Sequence, residues 1–528
     1  MPEEKNTDEA RLLIPASAAT DSSSEDRSPS KQDSEPNPVS FRSTLRSGFA
    51  FEIRILLYLL MFGILIRVVY ALEYSELPFF DAPLFDSVVY LRQAEAVRSR
   101  DFGHATLLAF SPLYGFFLAF FGSWVYAAQA FMGLMSALIL GHVASKSFGA
   151  SSGLATVALV YGYGLLMFYE TKLMSETLGF FLLSIAFAMY VGLSDKTKEA
   201  KSGVGAGILF ALATLTRSNL LTSLPFLVVC SLFAWSYQES ARVRVRRTCS
   251  LALGLGLVLM AWGTWNWSHT GFFVPVTLVP RTLERTAAEP WDGDLRSAGI
   301  AGNRVSAWDI VKQADDVLAH RIQNESIEID LAGLLQGIPQ KLWRTFRNTE
   351  TTFQYGYYGE RTEVRALTLT SISFGFLLLL ALVGAYVESR QERRVLLRYL
   401  PLLLGAVATC LVAHPSSRYR LPMLVPIFVL AGRGVIAIAS LRSNKRSGWG
   451  LRLGPVLLFA LTVTAYLATG AYELRHPGMW ELRVAEGELG RGDIKAAASR
   501  IKRARELEPE STLIQSRIEY LNQIRQPE

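Results

Sequence analysis

Long apolar blocks with almost no charge divide this sequence, and they restrict its possible folds more than any other feature. Two of them are LALGLGLVLMAWGTW at 251–265 and LTLTSISFGFLLLLALVGAYV at 367–387. A block of about 20 apolar residues is long enough to cross a bilayer as a helix. Half of the 528 residues are hydrophobic and only 19% are charged, which excludes a disordered chain and argues against a soluble enzyme. The pattern predicts an all-α polytopic membrane protein.

Eleven segments are predicted to span the membrane as helices. Residues 1–47 precede them and are rich in Ser, Asp, Glu and Pro, so we expect a disordered tail there. No short apolar core precedes the first helix, which is therefore predicted to be an uncleaved anchor. The pair within 203–236 is counted as two helices, and one long broken segment is the alternative interpretation. The predicted helices lie at about 54–73, 124–145, 152–168, 174–193, 203–216, 218–236, 248–268, 366–388, 397–413, 420–440 and 453–472.

The distribution of Lys and Arg predicts the orientation of these helices. Short cytoplasmic loops of membrane proteins carry an excess of both residues. With a cytoplasmic N-terminus, 20 Lys and Arg residues near the helix ends fall inside, against four in the short outer turns. Membrane topology therefore explains the basic residues better than a nucleic-acid partner does. The short outer turns then hold only Lys172, Arg217, Arg418 and Arg420. Three longer segments are placed on the extracytoplasmic side, namely 74–123, 269–365 and 473–528.

The first two outer segments differ in character. Residues 84–100 have apolar and polar side chains at helical spacing, which predicts an amphipathic helix in the membrane interface. The apolar piece at 107–122 is interrupted by a Ser-Pro pair and is predicted to be a half-inserted helix. Segment 269–365 contains WDGD at 291–294 and FQYGYYGE at 353–360, and we expect an irregular lid with a few short helices.

The C-terminal segment changes character again. Residues 484–511 contain two helical patterns around a Gly-Arg-Gly-Asp turn, with a proline near the end. Ala497 and Ala504 lie on one face of the second pattern, and this arrangement resembles a tetratricopeptide unit. Residues 473–528 are therefore predicted to form an extracytoplasmic hairpin that follows a transmembrane domain at 48–472. The hairpin either binds a protein partner or packs on the outer region, and both readings stay open.

Acidic residues cluster near the predicted outer edge of the bundle. Ionised side chains close to hydrocarbon are costly, so they are usually paired, in a wet cavity or functional. Asp81 and Asp86 follow the first helix, and Asp86 opens the amphipathic helix, where capping alone is the alternative. Glu170 and Lys172 lie in a turn where solvated or paired charges are common, whereas Glu176 opens a long apolar helix.

Cationic residues are predicted on the same side. Arg217 lies in the LTRSN turn, and the HPSSRYRLP turn contributes Arg418, Tyr419 and Arg420. Guanidinium groups suit phosphate recognition because they offer several fixed donors and stay charged. Any single arginine there is also explained by snorkelling to lipid headgroups. Three of them beside the acids favour an enzyme that acts on a phosphate-bearing lipid.

These motifs, taken in order, resemble those of the GT-C glycosyltransferases. The resemblance covers about 54–440 and is strongest to the dolichyl-phosphate-mannose protein mannosyltransferase and aminoarabinose transferase branch. It is carried by PLFDSVVYLRQA with Asp86 and Tyr90, then SPLYGFFLAFFG, SETLGFFLLSIAFAMY, LTRSNLLTSLP and RYRLP. The resemblance implies transfer of a sugar from a polyprenyl-phosphate donor to an acceptor on the extracytoplasmic face, with inversion.

The resemblance also implies roles for the residues. Asp86 is expected to be the catalytic base that takes the proton of the acceptor. Glu176 is expected to orient the sugar or the acceptor, or to support a metal. The donor phosphate is expected to bind Arg418, Arg420, Arg217 and Tyr419, and supporting roles fall to Asp81, Tyr90, Glu170 and Lys172.

One motif of this chain departs from the family pattern, and one family property, metal dependence, is not decided by the sequence. Many members have Asp-Glu in the first outer loop, whereas this chain has Asp86 followed by Ser87, which leaves only Asp81 as a possible second acid. Metal dependence differs among these families, and no compact ligand set decides whether a divalent cation is a cofactor. The three cysteines lie in or beside apolar segments and form neither a disulfide framework nor a zinc motif.

The rival interpretation is a polyprenyl-linked lipid flippase or transporter without covalent chemistry. Transporters place their sites near the bilayer midplane and often contain repeats, whereas the charges here are predicted at one edge. The expected partners are the lipid-linked donor, membrane lipids and an acceptor, with a further protein partner open for the C-terminal hairpin. The sequence leaves open the sugar, whether the acceptor is protein, lipid or glycan, and whether the membrane is bacterial or endoplasmic reticulum.

Overall fold

The fold is helical throughout the part of the chain that the computed structural model describes. The described residues are 38–192, 200–233, 240–271, 273–276, 331–350, 355–391, 396–412, 415–443 and 477–511, with a few isolated positions besides. Side chains are described from Phe51 onward. The predicted helix at 453–472, apart from Leu457, and the WDGD motif at 291–294 lie outside the described residues.

Nineteen α-helices follow one another in the described ranges. The first eleven are α1 Pro38–Ser75, α2 Asp86–Arg98, α3 Ala105–Ala109, α4 Leu113–Phe121, α5 Val125–Phe148, α6 Ala150–Gly162, α7 Gly164–Glu170, α8 Glu176–Gly192, α9 Ala200–Thr216, α10 Ser223–Phe233 and α11 Ala241–Thr270. The remaining eight are α12 Leu331–Phe346, α13 Tyr357–Glu363, α14 Arg365–Leu369, α15 Phe374–Gln391, α16 Leu400–Val412, α17 Ser417–Ser443, α18 Pro477–Gly490 and α19 Ile494–Leu507. Short 3₁₀ turns at Gly122–Trp124 and Ser218–Thr222 lead into α5 and α10.

Five helices are long and apolar enough to cross a membrane, judged by length and composition. They are Phe51–Ser75, Leu113–Phe148, Ala241–Thr270, Phe374–Gln391 and Ser417–Ser440. Five more apolar helices have only 10–17 residues, among them α6, α8 and α16. These are shorter than the roughly 20 residues that a perpendicular span needs. The structure therefore supports a helical membrane protein, but it does not confirm the predicted count of eleven spans.

Helix α1 begins earlier than the predicted start at about residue 54. The helix starts at Pro38, inside the stretch 1–47 for which we expected disorder. Proline suits a first helical position because its fixed φ is helical and its missing N–H needs no partner. No further proline or glycine follows until Gly48, so nothing in the local sequence stops the helix there.

Two predicted spans, 152–168 and 366–388, are each interrupted, and the two interruptions are paired. Tyr163 separates α6 from α7, and the gap between α14 and α15 contains Ser371, which forms an isolated antiparallel bridge with Tyr163. A break in an apolar helix releases backbone polar groups that need other partners. Here the breaks satisfy each other: Gly164 N–H donates to Thr370 O at 3.0 Å, and Ile372 N–H donates to Gly162 O at 3.1 Å.

Small residues allow the central helices to approach closely. A Cβ at Gly384 in α15 would lie 2.0 Å from the Leu430 carbonyl oxygen, and one at Gly434 in α17 would lie 2.0 Å from the Leu380 carbonyl oxygen. Glycine is therefore required at both positions, as is common where apolar helices cross. Helix α17 also packs against α6, α8 and α16, so it forms the centre of the bundle.

Segment 74–123, which is predicted to lie on the outer side, contains helices where the sequence predicts them, with shorter bounds. Helix α2 corresponds to the expected amphipathic helix at 84–100, and α3 and α4 divide the apolar piece at 107–122 at its Ser-Pro pair. Helix α4 packs on α2. The C-terminal hairpin consists of α18 and α19, joined by a short turn, and α18 contacts α13. The tetratricopeptide resemblance itself stays a prediction.

Candidate active site

The candidate site begins at the N-terminal end of α2. Asp86 is the first residue of this helix, and the preceding residue makes no side-chain capping hydrogen bond. The Asp86 carboxylate does not fold back to cap the helix either; its Oδ2 accepts a hydrogen bond from Arg418 Nη1 at 3.0 Å. The ion pair thus replaces the capping role that was the structural alternative for this residue.

Arg418 connects the two acids of the site. It lies at the start of α17, and its Nε donates to Glu176 Oε1 while its Nη1 binds Asp86. Arg217, just after α9, adds a second guanidinium group, with Nη1 at 2.6 Å from Glu176 Oε1. Its Nη2 also donates to the Arg418 carbonyl oxygen at 3.3 Å. Four residues that are far apart in sequence therefore form one charged cluster, which we call the Asp86–Arg418 cluster: Asp86, Glu176, Arg217 and Arg418.

Burial changes steadily across this cluster. The side chain of Glu176 is fully buried and that of Arg217 is 6% exposed, whereas Arg418 is 17% and Asp86 27% exposed. Glu176 lies at the start of α8, where the helix dipole favours a negative charge. The buried Glu176 thus anchors both arginines, and Asp86 forms the open side of the cluster.

Two tyrosines predicted for the site lie close to the cluster. Tyr90 lies one turn after Asp86 in α2 and is buried. Its hydroxyl donates a hydrogen bond at 3.1 Å to Oγ of Ser175, the residue directly before Glu176. Burial raises the pKa of Tyr90, so its hydroxyl keeps its proton at neutral pH. Tyr419 is half-buried and lies within electrostatic range of Arg418, Arg217 and Asp86.

Arg420 was expected to bind phosphate together with Arg418, but its contacts lie elsewhere. Its Nη2 binds Glu350 Oε2 at 2.6 Å and the Thr349 carbonyl oxygen at 2.7 Å. Its Nη1 binds the Arg347 carbonyl oxygen at 2.9 Å, and its guanidinium group covers the Phe374 ring. Each residue of a helix is rotated by about 100° from the one before, so Arg418 and Arg420, two positions apart, point to nearly opposite sides of α17. Arg420 thus fixes the segment after α12 rather than joining the Asp86–Arg418 cluster.

The other supporting candidates form three further ion pairs. Asp81 is 63% exposed and pairs with Arg491 of the C-terminal hairpin at 3.0 Å. Glu170 forms a buried two-point pair with Arg67 of α1, with both N–O distances at 2.7 Å. These contacts give Asp81 and Glu170 structural partners and do not connect them to Asp86.

Lys172 pairs with an acid of the second outer segment. Its Nζ lies 2.8 Å from Glu360 Oε2, and both side chains are fully buried. The ammonium group also lies 3.8 Å from the centroid of the Tyr74 ring and 4.3 Å from that of Phe168. Burial lowers the pKa of Lys172 to about 8, and the charge of Glu360 opposes that change. Burial likewise raises the pKa of Glu360, so burial disfavours the charged form of both residues and their mutual attraction opposes this effect. The pair connects α13 to the turn between α7 and α8.

Several residues with defined contacts were missed by the sequence analysis. Arg67 had a detectable signal, since a charged residue inside an apolar span usually has a partner. Glu360 and Tyr355 lie in FQYGYYGE, which was noted only as part of an irregular lid. Glu350 and Ser87 carried no signal, because nothing local indicates that they contact Arg420 and Tyr355.

The carboxylates of the cluster do not fit a divalent cation. Within the described part of the chain, no group of three or more His, Cys, Asp or Glu residues is arranged to hold a metal ion. Asp86 and Glu176 are instead joined by Arg418, and Arg217 adds a second positive charge. A cation between these acids would face both guanidinium groups. Both carboxylates are already paired with guanidinium groups.

Comparison with known proteins shows only a distant likeness. No protein-family model matches the sequence, and no curated protein matches it either. Among solved structures, the apo oligosaccharyltransferase of Archaeoglobus fulgidus is 13% identical with a TM-score of 0.43 over 83% of this chain and 56% of that one. The same enzyme with Zn and sulfate gives 13% and 0.44, over 81% and 55%. Its complex with an inhibitory peptide and a dolichol-phosphate gives 13% and 0.40, over 82% and 58%. This chain thus spans little more than half the length of those structures.

Proposed function

We propose that this protein is an integral-membrane glycosyltransferase of the GT-C type. It moves a sugar from a polyprenyl-phosphate donor to an acceptor on the extracytoplasmic face, with inversion at the anomeric carbon. The observation that carries the proposal is the placement of Arg418 between a buried acid, Glu176, and a partly exposed acid, Asp86. This arrangement provides a phosphate-binding group and a proton acceptor side by side.

The exposed acid is suited to act as the base. Oδ2 of Asp86 is held by Arg418, while among the described residues no donor contacts Oδ1. In the reaction, the acceptor oxygen or nitrogen forms a bond to the anomeric carbon as the bond from that carbon to the phosphate oxygen breaks. The electron pair leaves with the phosphate, and Asp86 Oδ1 takes the acceptor proton. A positioned base of this kind contributes about 10²- to 10⁴-fold in rate.

The guanidinium groups are suited to hold the leaving phosphate. The Arg418–Asp86 pair is partly exposed, so exchanging this carboxylate for a phosphate costs less than disturbing the fully buried Glu176 contact. Arg418 can therefore turn part of its fork to the donor while Glu176 keeps it in place. Arg217 adds positive charge from the buried side. Donors held in this way stabilise the charge that develops on the phosphate during bond cleavage.

The test is a transfer assay with membranes that contain the full chain. Radiolabelled polyprenyl-phosphate sugars are supplied, and the labelled product is extracted and identified by mass spectrometry. Transfer of label from the lipid to an acceptor supports the proposal. Movement of the labelled lipid across the bilayer without any transfer would replace it with the flippase interpretation.

A further inference from the structure

The hydroxyl group of Tyr355 binds the backbone of Leu84 and the side chain of Ser87, in the turn that leads into α2. It accepts a hydrogen bond from Leu84 N–H at 2.8 Å and donates to the Leu84 carbonyl oxygen at 3.2 Å. It also lies 2.9 Å from Ser87 Oγ. One donated and two accepted bonds use the full capacity of a phenolic hydroxyl. Burial raises the pKa of Tyr355, so the proton needed for this arrangement is retained at neutral pH.

The residue enclosed by these bonds has a strained backbone. Phe85 has a φ of 55° and a ψ of −128°, a region that residues with a side chain rarely adopt. Such conformations persist only where the surroundings impose them, and they concentrate at functional sites. Tyr355 bonds to Leu84, directly before Phe85, and to Ser87, two residues after it. Its ring also packs edge-on against the Phe85 ring with 6.3 Å between centroids. The phenol is therefore the group best placed to hold this turn.

The strained residue directly precedes Asp86. A change of the Phe85 dihedrals would swing the Asp86 carboxylate away from Arg418 Nη1, which lies 3.0 Å from it. Ser87 completes the clamp from the other side: its side chain is fully buried and contacts Tyr355. This is the position where the resembling family often has a second acid. In this chain the residue at this position, Ser87, contacts Tyr355 and so helps to fix the backbone next to the first acid, Asp86.

We propose that Tyr355 is a positioning residue for Asp86 and acts by holding the positive-φ conformation of Phe85. The inference rests on the proposed function for its kinetic part, since Asp86 is the base in that reaction. It makes the segment after α12 part of the active site, although the hydroxyl contacts of Tyr355 among the described residues are to Leu84 and Ser87 and not to Arg418. It also assigns the Asp-Ser sequence of this chain a defined purpose.

The experiment compares Tyr355→Phe with the wild type and with Tyr161→Phe in the full-length protein. Tyr161 is also buried, and its hydroxyl bonds to the Leu134 carbonyl oxygen away from the site. We expect Tyr355→Phe to lower kcat about 10- to 100-fold with little change in the KM for the donor, because misplacement by about 1 Å has effects of this size. Tyr161→Phe should match the wild type. Wild-type kcat in Tyr355→Phe would overturn the inference.

Replacement of Phe85 by glycine tests the mechanism of positioning. Glycine adopts positive φ at little cost, so a backbone with Phe85→Gly depends less on the clamp. We expect Tyr355→Phe to reduce kcat much less in the Phe85→Gly background than in the wild-type background. An equal loss in both backgrounds would show that the hydroxyl acts in another way and would overturn the inference. Ser87→Ala, which removes one of the three contacts, should cause a smaller loss and serves if Tyr355→Phe does not accumulate.

Hydrogen exchange separates this inference from the proposed function. The Leu84 amide is bonded to Tyr355, so its exchange should accelerate in Tyr355→Phe and stay unchanged in Tyr161→Phe. If the wild type transfers no sugar, the proposed function fails, and the exchange measurement still decides whether Tyr355 holds this turn. Unchanged exchange at Leu84 would overturn the clamp regardless of activity.

Discussion

Arg418 Nη1 lies 3.0 Å from Asp86 Oδ2, although 332 positions separate the two residues in the chain. Each residue lies in the first turn of its helix, Asp86 in α2 and Arg418 in α17. Helix starts carry exposed backbone N–H groups and a partial positive charge, so they are favourable places for anions. The contact therefore joins a proton acceptor and a guanidinium group in surroundings that also suit a phosphate.

Asp86→Asn should abolish sugar transfer while leaving the protein folded and in the membrane. Asparagine keeps the shape of the side chain but does not take a proton, so we expect a loss of at least about 10²-fold in kcat. Asp101→Asn is the matched control, because Asp101 is an exposed residue of the same outer segment. Transfer assays and melting in detergent measure the two effects. Near-normal turnover of Asp86→Asn would remove Asp86 from the mechanism.

Arg418→Lys should weaken use of the lipid-linked donor more than use of the acceptor. Lysine keeps the charge but lacks the planar fork that reaches both Glu176 and Asp86. Loss of one charge-assisted hydrogen bond corresponds to about 10-fold in the KM for the donor. Arg92→Lys is the control, because Arg92 pairs with Glu95 on the surface at 3.1 Å. An unchanged donor KM in Arg418→Lys would remove this arginine from donor binding and leave it as a structural partner of Glu176 and Asp86.

The same contacts show which parts of the site are predictable from sequence. Asp86, Glu176, Arg217 and Arg418 are recognisable because charges beside apolar helices are costly and therefore have a purpose. From the sequence, all four residues are predicted on the same side of the membrane, and in the structure their side chains form one cluster. Arg420 illustrates the limit of this argument, since it lies in the same motif as Arg418 but binds Glu350. Sequence distance does not reveal which of two neighbouring side chains faces the site.

Contacts between distant parts of the chain account for the other differences between the sequence-based predictions and the structure. The breaks at Tyr163 and Ser371 satisfy each other across two helices, so neither is visible in its own apolar segment. The clamp by Tyr355 joins residues from two outer segments, and no local pattern reports it. Apolar periodicity predicts helices well, whereas their interruptions depend on partners elsewhere in the chain.

In the Glu360→Gln variant, the free energy of unfolding should increase as the pH is raised from acidic values towards pH 8. The charge of Glu360 raises the pKa of Lys172, which burial lowers to about 8 from its usual 10.5. Without that charge, folded Lys172 loses its proton at a lower pH, while the unfolded chain still binds one. The free energy of unfolding then increases with pH, because the unfolded state holds more protons. The melting temperature in detergent, followed from acidic pH to pH 8, measures this effect.

The control for that measurement is Glu360→Gln combined with Lys172→Met. This double variant has no titrating group at either position, so the rise in melting temperature attributable to Lys172 should be absent. The same pH dependence in both variants would show that Lys172 keeps its proton when buried without Glu360. The assignment of a lowered pKa to Lys172 would then be incorrect.

Trp480→Ala should separate a structural C-terminal hairpin from one that only binds a partner. Trp480 in α18 is 8% exposed, and its ring occupies the space beside Gly359 of α13, where a Cβ would lie 2.3 Å from the indole. Its Nε1 also donates to Glu363 at 3.0 Å. Removing such a ring costs about 3–5 kcal/mol, so we expect a clearly lower melting temperature.

The matched control is Leu507→Ala at the end of α19, where the side chain is 45% exposed and little contact is lost. Because α13 also carries Glu360, the partner of Lys172, loosening the hairpin should increase proteolysis and hydrogen exchange of α13. The hairpin is then an integral support of the second outer segment. If Trp480→Ala melts like Leu507→Ala and leaves α13 protected, the hairpin is dispensable for the fold, and its sequence is better explained by a protein partner.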